Sequence, residues 1–169
     1  ILWPGRTYFF AKSSGTTNDR SKYIPLTRDS LDRCHFRGGK DMALFYLYQY
    51  PRTKLLFGKT VGVGGSFDTN HSYAKDIVVG DLSAILMREL PFWVRHRRAP
   101  RLETATINTW EQKLEELAKE SLSEDIRAIA GVPSWSQLFI KKVIEISGKK
   151  SIYDIWPNFE IFFHGGVSL

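Results

Sequence analysis

The chain has 169 residues, 43% of them hydrophobic and 25% charged, with a formal net charge of +6. This composition excludes a disordered chain and fits one globular domain with a substantial core. No apolar run approaches the roughly 20 residues of a membrane-spanning helix, and the first residues lack the basic leader of a signal peptide. Cys34 is the single cysteine, so no disulfide forms within the chain, and we expect a cytoplasmic protein without a membrane partner.

The first half of the chain predicts short strands on either side of a long helix. Aromatic and β-branched residues favour strands over residues 7–11 and 23–26. Thr27 can act as the N-cap of a helix over residues 28–48, although two glycines weaken its middle. A further strand is predicted over residues 59–64.

The middle of the chain predicts two helices, the first over residues 81–90 and ended by Pro91. Residues 102–122 predict one long amphipathic helix, because apolar residues recur along one face. The predicted apolar stripe consists of Ile107, Trp110, Leu114, Leu117 and Ser121. Charged residues, Lys113 among them, are expected mostly away from that stripe.

The last third predicts a strand over residues 126–130, a turn at 131–135, a helix over 135–146 ended by Gly148, and a strand over 159–163. Strands that alternate with helices are typical of α/β proteins. We therefore expect an α/β fold with a mixed or largely parallel sheet flanked by helices.

Two glycine motifs in the chain do not match a phosphate-binding or dinucleotide-binding pattern. Residues 58–60 read GKT, but a phosphate loop needs glycine where Thr53 stands. Residues 62–67 read GVGGSF, and the last glycine of a dinucleotide fingerprint is replaced by Phe67. Both segments are interpreted as tight turns at strand ends. The four histidines are scattered, so no metal site is predicted.

The stretch SSGTT at residues 13–17 has the composition of a loop that wraps a polyphosphate. Gly15 allows a bend that turns successive backbone N–H groups inward, and the neighbouring hydroxyls add short donors. Lys22 supplies a positive charge a few residues later. From the residues alone, a phosphate loop and an ordinary turn remain equally good interpretations.

The order of three segments along the chain resembles that of adenylate-forming enzymes, and within them the acyl-acid amido synthetases of the auxin-responsive promoter (GH3) family. The first segment is AKSSGTTNDRSKYIPLT, similar to the serine/threonine/glycine phosphate motif and its trailing lysine. The second is AIAGVPSWSQLFIKKVIEISGK, similar to a strand, a Val-Pro turn and a helix. The third is WPNFEIFFHGGVSL, similar to the strand and double-glycine turn beside the adenine. The resemblance spans nearly the whole chain.

The resemblance implies an enzyme that uses ATP and Mg²⁺ to convert a carboxylic acid to an acyl-adenylate, and then transfers the acyl group to an amino acid as an amide. Its implied partners are these two small molecules, with no nucleic acid. It also implies the residues that bind the nucleotide. The phosphates would contact Ser13, Ser14, Gly15, Thr16, Thr17 and Lys22, and the adenine would be bordered by Gly165, Gly166, Val167 and Ser168.

Two features of the chain depart from the pattern that the resemblance implies. Asn18 and Asp19 stand where many relatives outside this family carry glycine. The chain also stops before the family's Tyr-x-x-Ser-Glu motif, whose glutamate helps to hold Mg²⁺. We therefore expect residues 1–169 to be part of the large N-terminal adenylation domain, without the small C-terminal domain, and inactive alone.

Other charged residues carry weaker predictions. Arg37 and Lys40 follow the hydroxyl loop and could meet the substrate carboxylate, although exposed helix charges are the plainer interpretation. The run VRHRRAPR, residues 94–101, concentrates four arginines and leaves open a non-enzymatic basic binding module. An acyl-CoA ligase that uses the same adenylation step is a further alternative.

Overall fold

The computed structural model describes residues 5–13, 21–69 and 76–165, which form two β-sheets packed against helices. The strands are β1 (Phe9–Lys12), β2 (Tyr23–Leu26), β3 (Lys59–Val63), β4 (Val78–Gly80), β5 (Arg98–Ala99), β6 (Ile126–Gly131) and β7 (Ile161–Phe163). The helices are α1 (Arg28–Ser30), α2 (Arg37–Gln49), α3 (Leu82–Glu89), α4 (Phe92–Arg95), α5 (Leu102–Ala105), α6 (Trp110–Leu122), α7 (Pro133–Ser147) and α8 (Ile152–Ile155). The predicted α/β class is confirmed.

The smaller sheet has the strand order β2-β1-β4, and we call it the mixed sheet. Strand β1 pairs with β2 in the antiparallel sense and with β4 in the parallel sense. Its core is a cluster of four buried side chains, Ala11, Leu26, Leu31 and Ile85, contributed by two strands and two helical segments. Burial of this apolar surface fixes the hairpin β1–β2 against α3.

The larger sheet has the order β5-β3-β6-β7, and all of its strand pairs are parallel. Residues 126–129 of the inner strand β6, Arg127 included, are buried consecutively rather than alternately, which is typical of a strand covered on both faces. Helices α6 and α7 share a core with this sheet, in which Phe139 stacks on Trp156. The Trp156 indole N–H donates to the carbonyl of Ser121 at 3.0 Å, so this large buried side chain leaves no unpaired donor.

The first long helix begins where the sequence predicts. The Thr27 hydroxyl accepts a hydrogen bond from the backbone N–H of Ser30 at 3.0 Å, which satisfies one of the free donors of the first turn. The helix continues through a π-helical stretch, Leu31–Phe36, into α2 and ends at Gln49. Two glycines near the start of α2 are accommodated inside the helix, with no atom close to where a side chain would stand.

The prediction of one helix over residues 102–122 is wrong. The Thr106 hydroxyl bonds back to the carbonyl of Leu102 at 2.8 Å, and α5 ends there. Thr109 then adopts an extended backbone as the N-cap of α6. Lys113 was expected away from the apolar stripe, but it is 2% exposed. Lys113 stands one turn after Trp110 and one turn before Leu117, so it lies on the buried face of α6 itself.

Three other predicted boundaries differ from the structure by a few residues. The predicted turn at 131–135 is divided between the end of β6 and the first turn of α7, because Pro133 occupies a position where helices accept proline. The first and last strands are shorter than predicted, beginning at Phe9 and Ile161. Gly148, with φ of 65°, ends α7 as expected. No helix in the described ranges has the length and apolar character to cross a bilayer.

Replacement of Thr27 should test how much the cap contributes to the fold. We expect Thr27→Ala to lower the free energy of unfolding by about 1 kcal/mol, because an N–H of the first turn loses its acceptor. Thr27→Ser keeps the hydroxyl and serves as the matched control. Urea denaturation of both variants measures the difference, and equal stabilities would contradict a capping role.

Candidate functional site

The hydroxyl-rich stretch is the loop of the β1–β2 hairpin. Lys12 pairs with Tyr23 in the antiparallel register, so residues 13–22 connect the two strands. The backbone N–H of Ser13 donates to the carbonyl of Lys22 at 2.9 Å, and the N–H of Lys22 donates to the Ser13 hydroxyl oxygen at 3.1 Å. These two bonds close the neck of the loop. The Ser13 hydroxyl is the acceptor in the second bond, which does not use its own proton.

The structure therefore places two of the predicted phosphate-binding residues, Ser13 and Lys22, opposite each other at the neck. The other four, Ser14, Gly15, Thr16 and Thr17, lie outside the described residues. Of the predicted adenine-side residues, Gly165 comes two residues after the end of β7, whereas Gly166, Val167 and Ser168 lie outside the described residues. The neighbouring His164 is exposed and its ring stacks on Phe162 at 5.2 Å.

An open groove of about 450 Å³ lies beside the neck, and we call it the neck groove. Its lining comes from the hairpin, from the segment after β3, from the end of β4 and from the link between α5 and α6. The lining residues are Lys12, Ser13, Ser21, Ser66, Phe67, Asp68, Thr69, Gly80, Asp81 and Asn108. Most of these side chains carry hydroxyl, amide or charged groups. This lining is suited to a polar, charged ligand rather than to an apolar one.

A salt bridge crosses the neck groove between Lys12 and Asp68, with 2.8 Å between Nζ and Oδ2. The hydrogen bond and the charge of Asp68 raise the pKa of Lys12, so its ammonium stays protonated at neutral pH. The bridge joins the last residue of β1 to the segment that follows β3. It therefore ties the hairpin neck to the parallel sheet.

Three glycine-containing turns meet at one edge of the parallel sheet. Strands β3, β6 and β7 run in the same direction, so their carboxyl ends lie side by side. Gly64 and Gly65 follow β3, Gly131 is the last residue of β6 before α7, and Gly165 comes shortly after β7. In open α/β sheets this edge is where ligands bind. The structure thus brings together two segments that the sequence analysis treated separately, at 64–66 and 164–165.

The turn after β3 is packed too closely for any residue larger than glycine at one position. A Cβ placed on Gly65 would stand 1.8 Å from Oδ2 of Asp81. The N–H of Gly65 donates to the Ser83 hydroxyl at 2.8 Å, and the N–H of Ser66 donates to the Asp81 carboxylate at 2.9 Å. The interpretation of GVGGSF as a tight turn at a strand end is confirmed only in its position: Gly62 and Val63 end β3, and residues 64–66 leave the strand without regular structure, anchored on the N-terminus of α3.

Lys113 is the polar residue that the sequence analysis missed. Its ammonium donates to the carbonyls of Gly64 and Gly65 at 3.2 and 3.0 Å and to the Ser66 hydroxyl at 2.5 Å. The ammonium also lies 5.9 Å from the centre of the Trp110 ring. Burial lowers the pKa of Lys113 from 10.5 to about 8, and the charge of Asp81 opposes this shift. A signal was present, because Lys113 stands three residues after Trp110 and four before Leu117, on the buried face of α6.

Arg37 and Lys40, the candidates for the substrate carboxylate, lie on the exposed surface of α2. The Arg37 guanidinium is 3.9 Å from the carboxylate of Asp41, one turn further along. Neither residue is among those that line the neck groove. Their contact with a substrate stays a prediction.

The arginines of the basic run are partly committed to contacts inside the fold. Arg95 donates to the carbonyl of Leu90 at 2.7 Å, and Arg98 donates to the carbonyl of Met87 at 3.0 Å. Arg101 forms a 3.2 Å ion pair with Glu120. Guanidinium groups that hold the chain together in this way are less available to an external anion.

Comparison with known proteins identifies the family. The model of the GH3 family N-terminal domain matches residues 1–169, which is the whole chain. No curated protein gives a significant match.

The pKa of Lys113 predicts how stability changes with pH. In the unfolded chain this amine holds its proton up to about pH 10.5, whereas in the fold it releases it near pH 8. Between these values the unfolded state binds more protons, so the free energy of unfolding rises with pH. Relative to Lys113→Met, we expect the unaltered protein to gain about 2 kcal/mol between pH 7 and 9.5.

Urea denaturation at the two pH values measures this difference. Lys119→Met is the matched control on the same helix, because hydrogen bonds to Glu115 and Glu116 raise the pKa of Lys119 and its titration lies above the tested range. A stability difference for Lys113→Met that does not change with pH would contradict the assignment.

Proposed function

The chain belongs to the GH3 family, and from this membership we propose that the whole protein which carries it is an acyl-acid amido synthetase. In the proposed first step, an oxygen of the substrate carboxylate attacks the α-phosphorus of ATP. The bond between the α-phosphorus and the oxygen that bridges it to the β-phosphorus breaks. Pyrophosphate leaves with that oxygen, and an acyl-adenylate forms. In the second step an amino acid's amine attacks the acyl carbon, AMP leaves, and an amide results. The need for ATP favours a cytoplasmic location.

The observation that carries the proposal is the neck of the hairpin, which lies beside the segment that follows β3 at the carboxyl edge of the parallel sheet. Two hydrogen bonds between Ser13 and Lys22 hold the two ends of the loop together. A polyphosphate needs several donors held close together, because its own charges repel. We assign that task to the hydroxyls and backbone N–H groups of residues 13–17, with the Lys22 ammonium beside them.

We assign the adenine to residues 165–168, which follow β7 in the chain. Strand β7 and the hairpin belong to different sheets, so a nucleotide bound beside both would lie across the junction between them. The neck groove lies at that junction, between the hairpin and the segment after β3. Its polar lining suits the charged middle of such a ligand.

The described residues fit Mg²⁺ only as part of a complex with the nucleotide. In residues 5–13, 21–69 and 76–165, no group of three or more histidine, cysteine, aspartate or glutamate side chains is placed to hold a metal ion. Mg²⁺ commonly keeps several waters and binds through substrate phosphates with one or two carboxylates. Asp68 and Asp81 are the carboxylates that line the neck groove and could supply such a ligand. When bound, the ion would offset charge on the leaving pyrophosphate.

The first half-reaction can be tested without knowledge of the amine. We expect the full-length protein to catalyse exchange of labelled pyrophosphate into ATP that depends on an added carboxylic acid. A panel of alkyl, aryl and indole acids covers the main substrate classes. Absence of exchange with every acid, in protein shown to be folded, would contradict adenylation.

Thr16→Val separates a phosphate loop from an ordinary turn. Valine has nearly the shape of threonine but lacks the hydroxyl donor. Loss of a hydrogen bond to a charged group is worth about 1.5–3 kcal/mol, so we expect a roughly ten- to hundred-fold loss of exchange rate at an unchanged melting temperature. Thr7→Val, before β1 at the end away from the loop, is the matched control. A lower melting temperature with a normal rate in the folded fraction would instead indicate a structural turn.

A further inference from the structure

One short segment joins the two sheets, and we call residues 64–68 the connector. On the side of the mixed sheet, the N–H of Asp68 donates to the carbonyl of Val79 at 2.9 Å, and the N–H of Asp81 donates to the carbonyl of Ser66 at 3.0 Å. The salt bridge between Lys12 and Asp68 extends this attachment to the hairpin. The connector therefore positions the hairpin neck relative to the carboxyl edge of the parallel sheet.

The other side of the connector is held by Lys113. Its ammonium reaches from α6, which packs on the parallel sheet, to two carbonyls and one hydroxyl in residues 64–66. The Ser66 hydroxyl, which accepts a hydrogen bond from Lys113, also donates one to the carbonyl of Ile107 at 2.7 Å. Three polar groups at the start of the connector thus bind one buried cation.

The geometry assigns Lys113 a positioning role and not a chemical one. Three acceptors surround Nζ, one for each hydrogen of the ammonium, and the side chain is 2% exposed. An ammonium in this setting has no lone pair, and its buried side chain is not accessible to a substrate. Burial of a charge is unfavourable unless hydrogen bonds compensate it. An apolar side chain of similar length would avoid that cost but would leave the acceptors without a donor.

We propose that Lys113 is a positioning residue of the ATP site, which holds the connector and through it sets the hairpin neck opposite the glycine turns of the parallel sheet. The inference rests on the proposed function, since it concerns how the two halves of that site are aligned. A ligand that must contact both halves binds tightly only when their separation is fixed beforehand. Removal of the ammonium should therefore weaken ATP binding even though Lys113 does not touch the nucleotide.

The experiment compares Lys113→Met with Lys119→Met in the full-length protein. Both replace a lysine of α6 by methionine, but Lys119 lies on the exposed face, paired with Glu115 and Glu116. Calorimetric titration with MgATP in the absence of acid gives the Kd, at a temperature where circular dichroism shows both variants folded. We expect the Kd to rise at least ten-fold in Lys113→Met and to stay unchanged in the control.

Hydrogen exchange supplies a second readout that does not require ATP. The N–H groups of Ser13 and Lys22 form the neck bonds, so their exchange rates report the state of the neck. We expect faster exchange in Lys113→Met at the connector and at the neck, with β6 unchanged. Faster exchange confined to the connector, or an unchanged Kd for ATP, would overturn the positioning role.

Two further outcomes are distinguishable. If the unaltered protein binds no ATP, the proposed function fails, and hydrogen exchange at the neck alone tests the role of Lys113. Faster exchange at the neck in Lys113→Met then supports the link from Lys113 to the hairpin, and an unchanged exchange rate overturns it. If Lys113→Met does not fold, Ser66→Ala replaces it, because this variant removes one acceptor of the ammonium. We then expect a smaller rise in the Kd for MgATP and a smaller increase of hydrogen exchange at the connector and the neck. The absence of both effects in folded Ser66→Ala overturns the proposal.

Discussion

The buried ammonium of Lys113 is the contact on which the arrangement of the two sheets depends. It satisfies three acceptors at the start of the connector, at a point where the chain leaves the parallel sheet and approaches the mixed one. Close packing enforces this position, because neither Asp81 nor Ser83 leaves room for a side chain on the glycines they face. A cation in the interior is costly, and its complete hydrogen bonding explains how the fold tolerates it.

The two sheets have different tasks in the candidate site. The mixed sheet presents a hairpin, and a hairpin loop can change its sequence without disturbing the strands once its neck is closed. The parallel sheet presents several backbone turns along one edge, because its strands all end on the same side. The proposed nucleotide, with a base at one end and a polyphosphate at the other, would contact both sheets. The salt bridge between Lys12 and Asp68 links the two parts.

The sequence was most informative where a structural feature depends on neighbouring residues. Thr27 was recognised as a helix cap and Gly148 as a helix end, because both act within one turn. The hydroxyl-rich loop was recognised by composition and order, and the structure places its neck between two paired strands. The long helix at 102–122 was predicted wrongly, since the hydrogen bonds that end α5 at Thr106 compete with helix continuation and leave no clear periodic signal.

The sequence by itself determined the fold class, the family resemblance, and which segments carry the hydroxyls and glycines of the candidate site. These follow from local patterns, in which side-chain type and spacing set the backbone conformation. The tertiary structure alone decided that the turn at 64–66 joins the site and that Lys113 is buried beneath it. Residues 64 and 113 are 49 positions apart, and only packing brings them within hydrogen-bonding distance. The charge of a lysine predicts solvent exposure, and that expectation is reversed only where the fold supplies enough acceptors to replace water.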